Sequence, residues 1–143
     1  MTRADMIVAA ARAALDTPFK HQGRRVGVAL DCAGLGIHCV TAAGLPVYDE
    51  TDYPRTPGGG RMEAAFDRQP ALVRVPVSTI AHGDIVLMRM DGEPQHVAII
   101  ADGAHGLNIT HAFEKTGRVV EHILTPAWRR LIVRAYRAKE FDE

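Results

Sequence analysis

The sequence predicts an α+β domain in which N-terminal helices pack on one side of an antiparallel sheet of about five strands. Three observations carry that prediction. Apolar residues in the first third of the chain recur at helical spacing, whereas those in the second half alternate with period two. Asp-Gly and Thr-Gly pairs then punctuate the alternating half as hairpin turns.

Ala4–Leu15 reads as an amphipathic helix with Thr2 as its N-cap. Residues 16–30 carry Pro18, Gly23 and Gly27 and read as a loop. A second helix is predicted over Cys32–Ala43, with Asp31 at its N-cap and Gly44-Leu45-Pro46 as its stop. The Pro- and Gly-rich stretch 48–61 reads as a loop that borders any cleft nearby, and 61–69 as a short helix. Strands are predicted at 83–90, 96–101, 107–113, 118–124 and 130–137. Turns at Asp91-Gly92, Asp102-Gly103 and Thr116-Gly117 make them a meander.

With 143 residues the chain is expected to form one domain, 1–143. It is 47% hydrophobic and 24% charged, enough for a core. Seventeen Lys and Arg balance seventeen Asp and Glu, so no basic excess points to nucleic acid or an anionic membrane. No apolar run is long enough for a membrane span. Asp5, Arg12 and Asp16 interrupt the N-terminal apolar stretch, unlike a secretory signal, so cytoplasmic synthesis without a classical export signal is expected. Cys32 and Cys39 lie seven residues apart on one predicted helix. That is about 10 Å of rise, beyond the roughly 7 Å Cα limit of a disulfide, so two free thiols are expected.

Cys32 falls in the first turn of its helix, where unpaired amides and the dipole favour a thiolate if a cation lies nearby. Position alone favours a buried structural thiol over a nucleophile, because buried structural cysteines are common. Cys39, in mid-helix, reads as core. Among seven histidines, His96 and His111 flank one predicted hairpin. If Ala101 pairs with Gly106 around a 102–105 loop, His96 faces His111 at the end of an apolar sheet face. The helix stripe below Cys32 is the expected partner of that face. A thiol, an imidazole base and a second group that orients the base are the parts of an acyl-transfer site. His38, His105 and His122 need no role, and His82 reads as turn chemistry. No C-x-x-C or H-x-x-x-H pair exists, and Cys32, His38 and Cys39 cannot converge on one ion, so no metal site is expected.

"TPFKHQG", "LDCAGLGIHCV", "HGDIVLM", "QHVAIIADG" and "LNITHAF" follow one another in the order of the motifs of the NlpC family of papain-like bacterial cell-wall cysteine peptidases. The resemblance runs from about Thr17 to Phe113. It implies a papain-like fold with Cys32 as nucleophile, His96 as base and His111 as the third polar residue, acting on peptidoglycan stem peptides without a cofactor. The implied bond follows a γ-linked D-glutamyl residue, typically before diaminopimelate. It also places Asp31 and His21 in the substrate cleft, His21 where the family often has a Tyr. Ala33 departs from the family Ser linked to binding a free stem-peptide amine. "FKHQGR", "DYP" and "WRRLIVRAYR" resemble the phage tail-associated branch, which implies tail proteins as partners and a virion-tail or released enzyme. Two other readings stand beside this one. They are a tail-assembly or adaptor module with a vestigial site, and a related thiol amidase or acyltransferase.

Overall fold

In the computed structural model, residues 1–55 and 57–140 are described. Helix α1 spans Arg3–Ala13, opened by a reciprocal capping box between Thr2 and Asp5, and buries Ile7, Val8, Ala10 and Ala11. Residues 16–30 are not plain loop. They hold a small hairpin, β1 (Arg24–Arg25) and β2 (Ala29–Leu30), that turns near Gly27 at φ 80°. Helix α2 spans Cys32–Ala42 with Asp31 as N-cap, and Gly44 at φ 77° follows its end. Helix α3 spans Arg61–Asp67. Then come β3 (Leu72–Val75), β4 (Ile85–Met90), β5 (Glu93–Gly103), β6 (Gly106–Phe113), β7 (Arg118–Ile123), the short α4 (Pro126–Arg129) and β8 (Ile132–Ala138).

The sheet has six strands in the order β3-β8-β4-β5-β6-β7. The α+β class and the five expected strands are present. The sixth, β3, is a four-residue edge strand before Pro76, too short for alternation to stand out. Strands β4 to β7 form the expected meander. β8, however, does not continue beside β7. It returns to pair with β4, so the chain crosses a sheet face between Ile123 and Ile132. Helix α4 lies in that crossover, capped by Thr125 with Pro126 in its first turn.

Both sheet faces are covered, by different layers. Leu87, Val97, Ile99 and Ala112 join the residues of α1 and α2 in one core. Val86, Met88, Ala98, Ile100 and Ile109 form a second core with Leu124 and Ile132, against which Trp128 packs. His96 shares the strand face of Ala98 and Ile100, because successive strand residues alternate. That face therefore packs under the crossover and not on the α2 stripe as the sequence suggested.

The β5–β6 register also differs from expectation. Ile100 pairs with Ile109 and Gly103 with Gly106, so the turn is Ala104-His105 and Asp102-Gly103 lies within β5. Gly106 at φ 116° accommodates this tighter reversal. The slip is two residues, which preserves the side-chain alternation. His96 and His111 stay on one face, as diagonal neighbours.

Candidate active site

Asp31 starts α2. Its backbone is extended, at φ −98°, and its carboxylate accepts from Gly34 N–H at 2.7 Å. The same carboxylate accepts from Gln22 N–H at 2.8 Å, from Arg24 at 2.9 Å and from the Tyr53 hydroxyl. Four donors occupy a group with about four acceptor positions, and Asp31 is 3% exposed. It shapes the cleft by holding the β1–β2 hairpin and the 48–55 loop against α2, and has no lone pair left for direct contact with a ligand. Gly34 is required here, since a Cβ would collide with the backbone oxygen of Gly23.

The Cys32 thiol is half-buried and free. Pairing of β5 with β6 begins at Ile99↔Thr110, so the edge of β5 before it is open, and Cys32 Sγ lies there against Gln95 O at 3.8 Å. Burial pushes the thiol up to about 12, and the Asp31 carboxylate pushes the same way. The N–H groups of Val97 and Ala33 and the Arg24 guanidinium oppose this with smaller effect. The resting sulfur is therefore a neutral thiol. The lowering expected from the helix N-terminus is outweighed by desolvation. Cys39 is fully buried, and burial likewise raises it to about 12.

His96 Nε2 and His111 Nδ1 are 2.7 Å apart. His96 is 7% exposed and His111 fully buried. Burial lowers His96 to about 4. His111 falls to about 3 through burial, then through the neighbouring His96 and His122. Both rings are neutral at pH 7. Phe113 stacks on His111 at 5.0 Å between ring centroids, and Trp128 from the crossover stands edge-on to it at 5.1 Å. Among the described residues no hydrogen bond joins Cys32 Sγ to His96. Proton transfer between them needs a geometry other than this one, and catalytic hydrogen bonds commonly tighten only once a ligand is bound.

A cleft opens at Cys32 between Phe19, His21, Tyr53, Arg55 and Gln95. His21 Nε2 lies 3.1 Å from Tyr53 O, and its ring meets the Tyr53 ring edge-on at 5.4 Å. The site therefore has both the imidazole and a tyrosine, supplied from the 48–61 loop. Burial, then the hydrogen bond to Asp31, raises the Tyr53 hydroxyl, keeping it a donor. Arg24 stays charged. Burial works against its charge, but Asp49 and Asp31 outweigh it. Sequence reasoning did not find Tyr53, Arg24, Gln95 or Trp128, because each reaches the site through pairing or a loop path that no local pattern encodes. His122 was set aside, yet its Nε2 lies 2.9 Å from His111 Nε2. Its position two residues beyond Val120, the partner of His111 across the β6–β7 hairpin, was the available signal. Among the described residues no group of three or more His, Cys, Asp or Glu could hold a metal ion.

Neither a family model nor a curated protein sequence matches the chain. Solved structures do. An NlpC/P60 family protein from Bacillus cereus has 23% identity and a TM-score of 0.66, covering 92% of this chain and 39% of its own. This chain thus spans about two fifths of that protein's length. The peptidoglycan hydrolase RipB from Mycobacterium tuberculosis has 16% identity and a TM-score of 0.67, with 97% of this chain and 66% of that one covered. RipD from the same organism is described as a non-catalytic NlpC/p60 domain protein adapted to peptidoglycan binding. It has 17% identity and a TM-score of 0.59, with 96% and 97% covered. The helices packed on one face of the six-stranded antiparallel sheet, with Cys32 at the start of α2, are the NlpC/P60 papain-like fold.

Proposed function

We propose that this chain is a thiol hydrolase of peptidoglycan stem peptides, with Cys32 as nucleophile, His96 as base and His111 orienting His96. One observation carries the proposal: a cysteine at a helix N-terminus, in a cleft, beside strand β5, whose His96 pairs at 2.7 Å with the buried His111 of β6. Ligand binding brings His96 to the sulfur, and His96 Nδ1 takes the thiol proton. The thiolate attacks the amide carbonyl while N–H groups of the first turn of α2 receive the oxyanion. His96 returns the proton to the leaving amine, giving a thioester on Cys32. His96 then deprotonates a water that hydrolyses the thioester, releasing a carboxylic acid and restoring the thiol. The motif likeness supports the γ-D-glutamyl-diaminopimelate bond as the target and a phage-tail setting for the enzyme.

A second reading is peptidoglycan binding without cleavage. The raised thiol pKa and the missing Cys32–His96 hydrogen bond favour it, and RipD is a fold neighbour so described. Purified protein and its Cys32→Ala variant, incubated with muropeptides and followed by mass spectrometry, separate the two. Stem-peptide cleavage by the parent alone supports hydrolysis. Saturable muropeptide binding without product selects the binding reading. Equal product from both proteins rules out Cys32 as nucleophile.

A further inference from the structure

The imidazole row does not end at His111. His111 Nε2 lies 2.9 Å from His122 Nε2, and His122 Nδ1 lies 3.0 Å from Ile123 O. Trp128 covers the far end, its ring 5.1 Å from both His111 and His122. The row thus runs from His96 in the site, through fully buried His111, to half-buried His122.

A carbonyl oxygen only accepts hydrogen bonds, and that end condition propagates. His122 Nδ1 must carry the proton, so Nε2 of the neutral ring is an acceptor. His111 Nε2–H then donates to it, which leaves His111 Nδ1 as an acceptor. His96 Nε2–H donates to His111 Nδ1, which leaves His96 Nδ1 with a bare lone pair. The opposite assignment would set a bare His122 nitrogen against the Ile123 oxygen, lone pair to lone pair.

We infer that His122 is a positioning residue that passes the polarity of the Ile123 carbonyl through His111 and so makes His96 Nδ1 the free, proton-accepting nitrogen. The inference rests on the proposed hydrolase only for its catalytic consequence, since the tautomers exist with or without turnover. Phe113 packs on His111, and Trp128 on both His111 and His122, which holds the row in register.

Nitrogen-15 NMR of histidine-labelled protein at pH 7.5 reads each tautomer directly. The expected wild-type spectrum has His96 and His111 as Nε2–H and His122 as Nδ1–H. Two variants of similar length then separate acceptor from donor. His122→Glu accepts from His111 Nε2–H, so both tautomers and turnover are retained within a few-fold. His122→Lys only donates, so His111 and His96 switch to Nδ1–H and kcat falls on the order of 100-fold, the scale of a lost general base. A wild-type His96 in the Nδ1–H form overturns the inference, even if His122→Lys does not fold. Equal losses for Glu and Lys with unchanged tautomers also overturn it, because a packing role would produce that result. If the expected tautomers appear but no muropeptide is cleaved, the hydrolase reading fails and the inference stands.

Discussion

Desolvation sets the chemistry of the two cysteines. Both thiols are raised to about 12 by burial, yet only Cys32 has polar groups of the open β5 edge beside it. Free iodoacetamide is expected to label both slowly at pH 7, with rates that rise as pH climbs toward the raised values. Cys39→Ala is expected to lower stability by about 1 kcal/mol, as for a small buried group, and to leave muropeptide cleavage unchanged. His111→Ala removes the partner of His96 and is expected to lower kcat by about 100-fold without a matching change in KM. Asp31 belongs to a different class. Its loss removes an N-cap and takes the acceptor from Gln22 N–H and the buried Tyr53 hydroxyl, while Arg24 keeps Asp49, so Asp31→Ala is expected to cost about 3 kcal/mol in urea unfolding.

Two contacts between elements decide whether the site assembles. The first is the close approach of the β1–β2 hairpin to the opening turn of α2 at Gly23 and Gly34. Gly34→Ala is expected to drive the two apart and to lose cleavage together with thermal stability, because the colliding atom is backbone and cannot rotate away. The second is the crossover from β7 to β8, which lays Trp128 on the imidazole row. The sequence made Cys32, His96 and His111 legible through helix capping, strand alternation and motif order. The alternation argument placed the two histidines on one face even with the register read two residues wrong, because a slip of two conserves the face. The layer beneath them was not legible. Which layer covers which face depends on where β8 pairs, and that long-range choice leaves no mark on local periodicity. His122 stayed hidden for a different reason, since its contact with His111 depends on the β6–β7 register, which the Thr116-Gly117 turn allows without fixing.

At the scale of the molecule, the buried neutral groups confine stability to a window of pH. In the unfolded chain the histidines take protons near 6.5, while His96 and His111 in the fold resist protonation down to about 4 and about 3. The unfolded state therefore binds more protons below about 6.5, and stability falls as pH drops, by about 1.4 kcal/mol per unit for each ring. Above 9 the sign reverses in origin. Unfolded thiols ionise, whereas Cys32 and Cys39 hold their protons to about 12, so stability falls again as pH rises. Urea unfolding across pH is expected to show a plateau between about 6.5 and about 9, with the acid slope reduced in His111→Phe. In the proposed reaction a bound ligand brings thiol and imidazole together before Cys32 attacks. The most direct measurement is labelling with a stem-peptide electrophile at pH 7, mapped by mass spectrometry and compared with free iodoacetamide. The expected result is rapid modification of Cys32 alone, far faster than by iodoacetamide, and its loss in His96→Ala. Labelling of Cys32 no faster than by iodoacetamide, or at an equal rate in His96→Ala, would contradict a ligand-assembled Cys32–His96 pair.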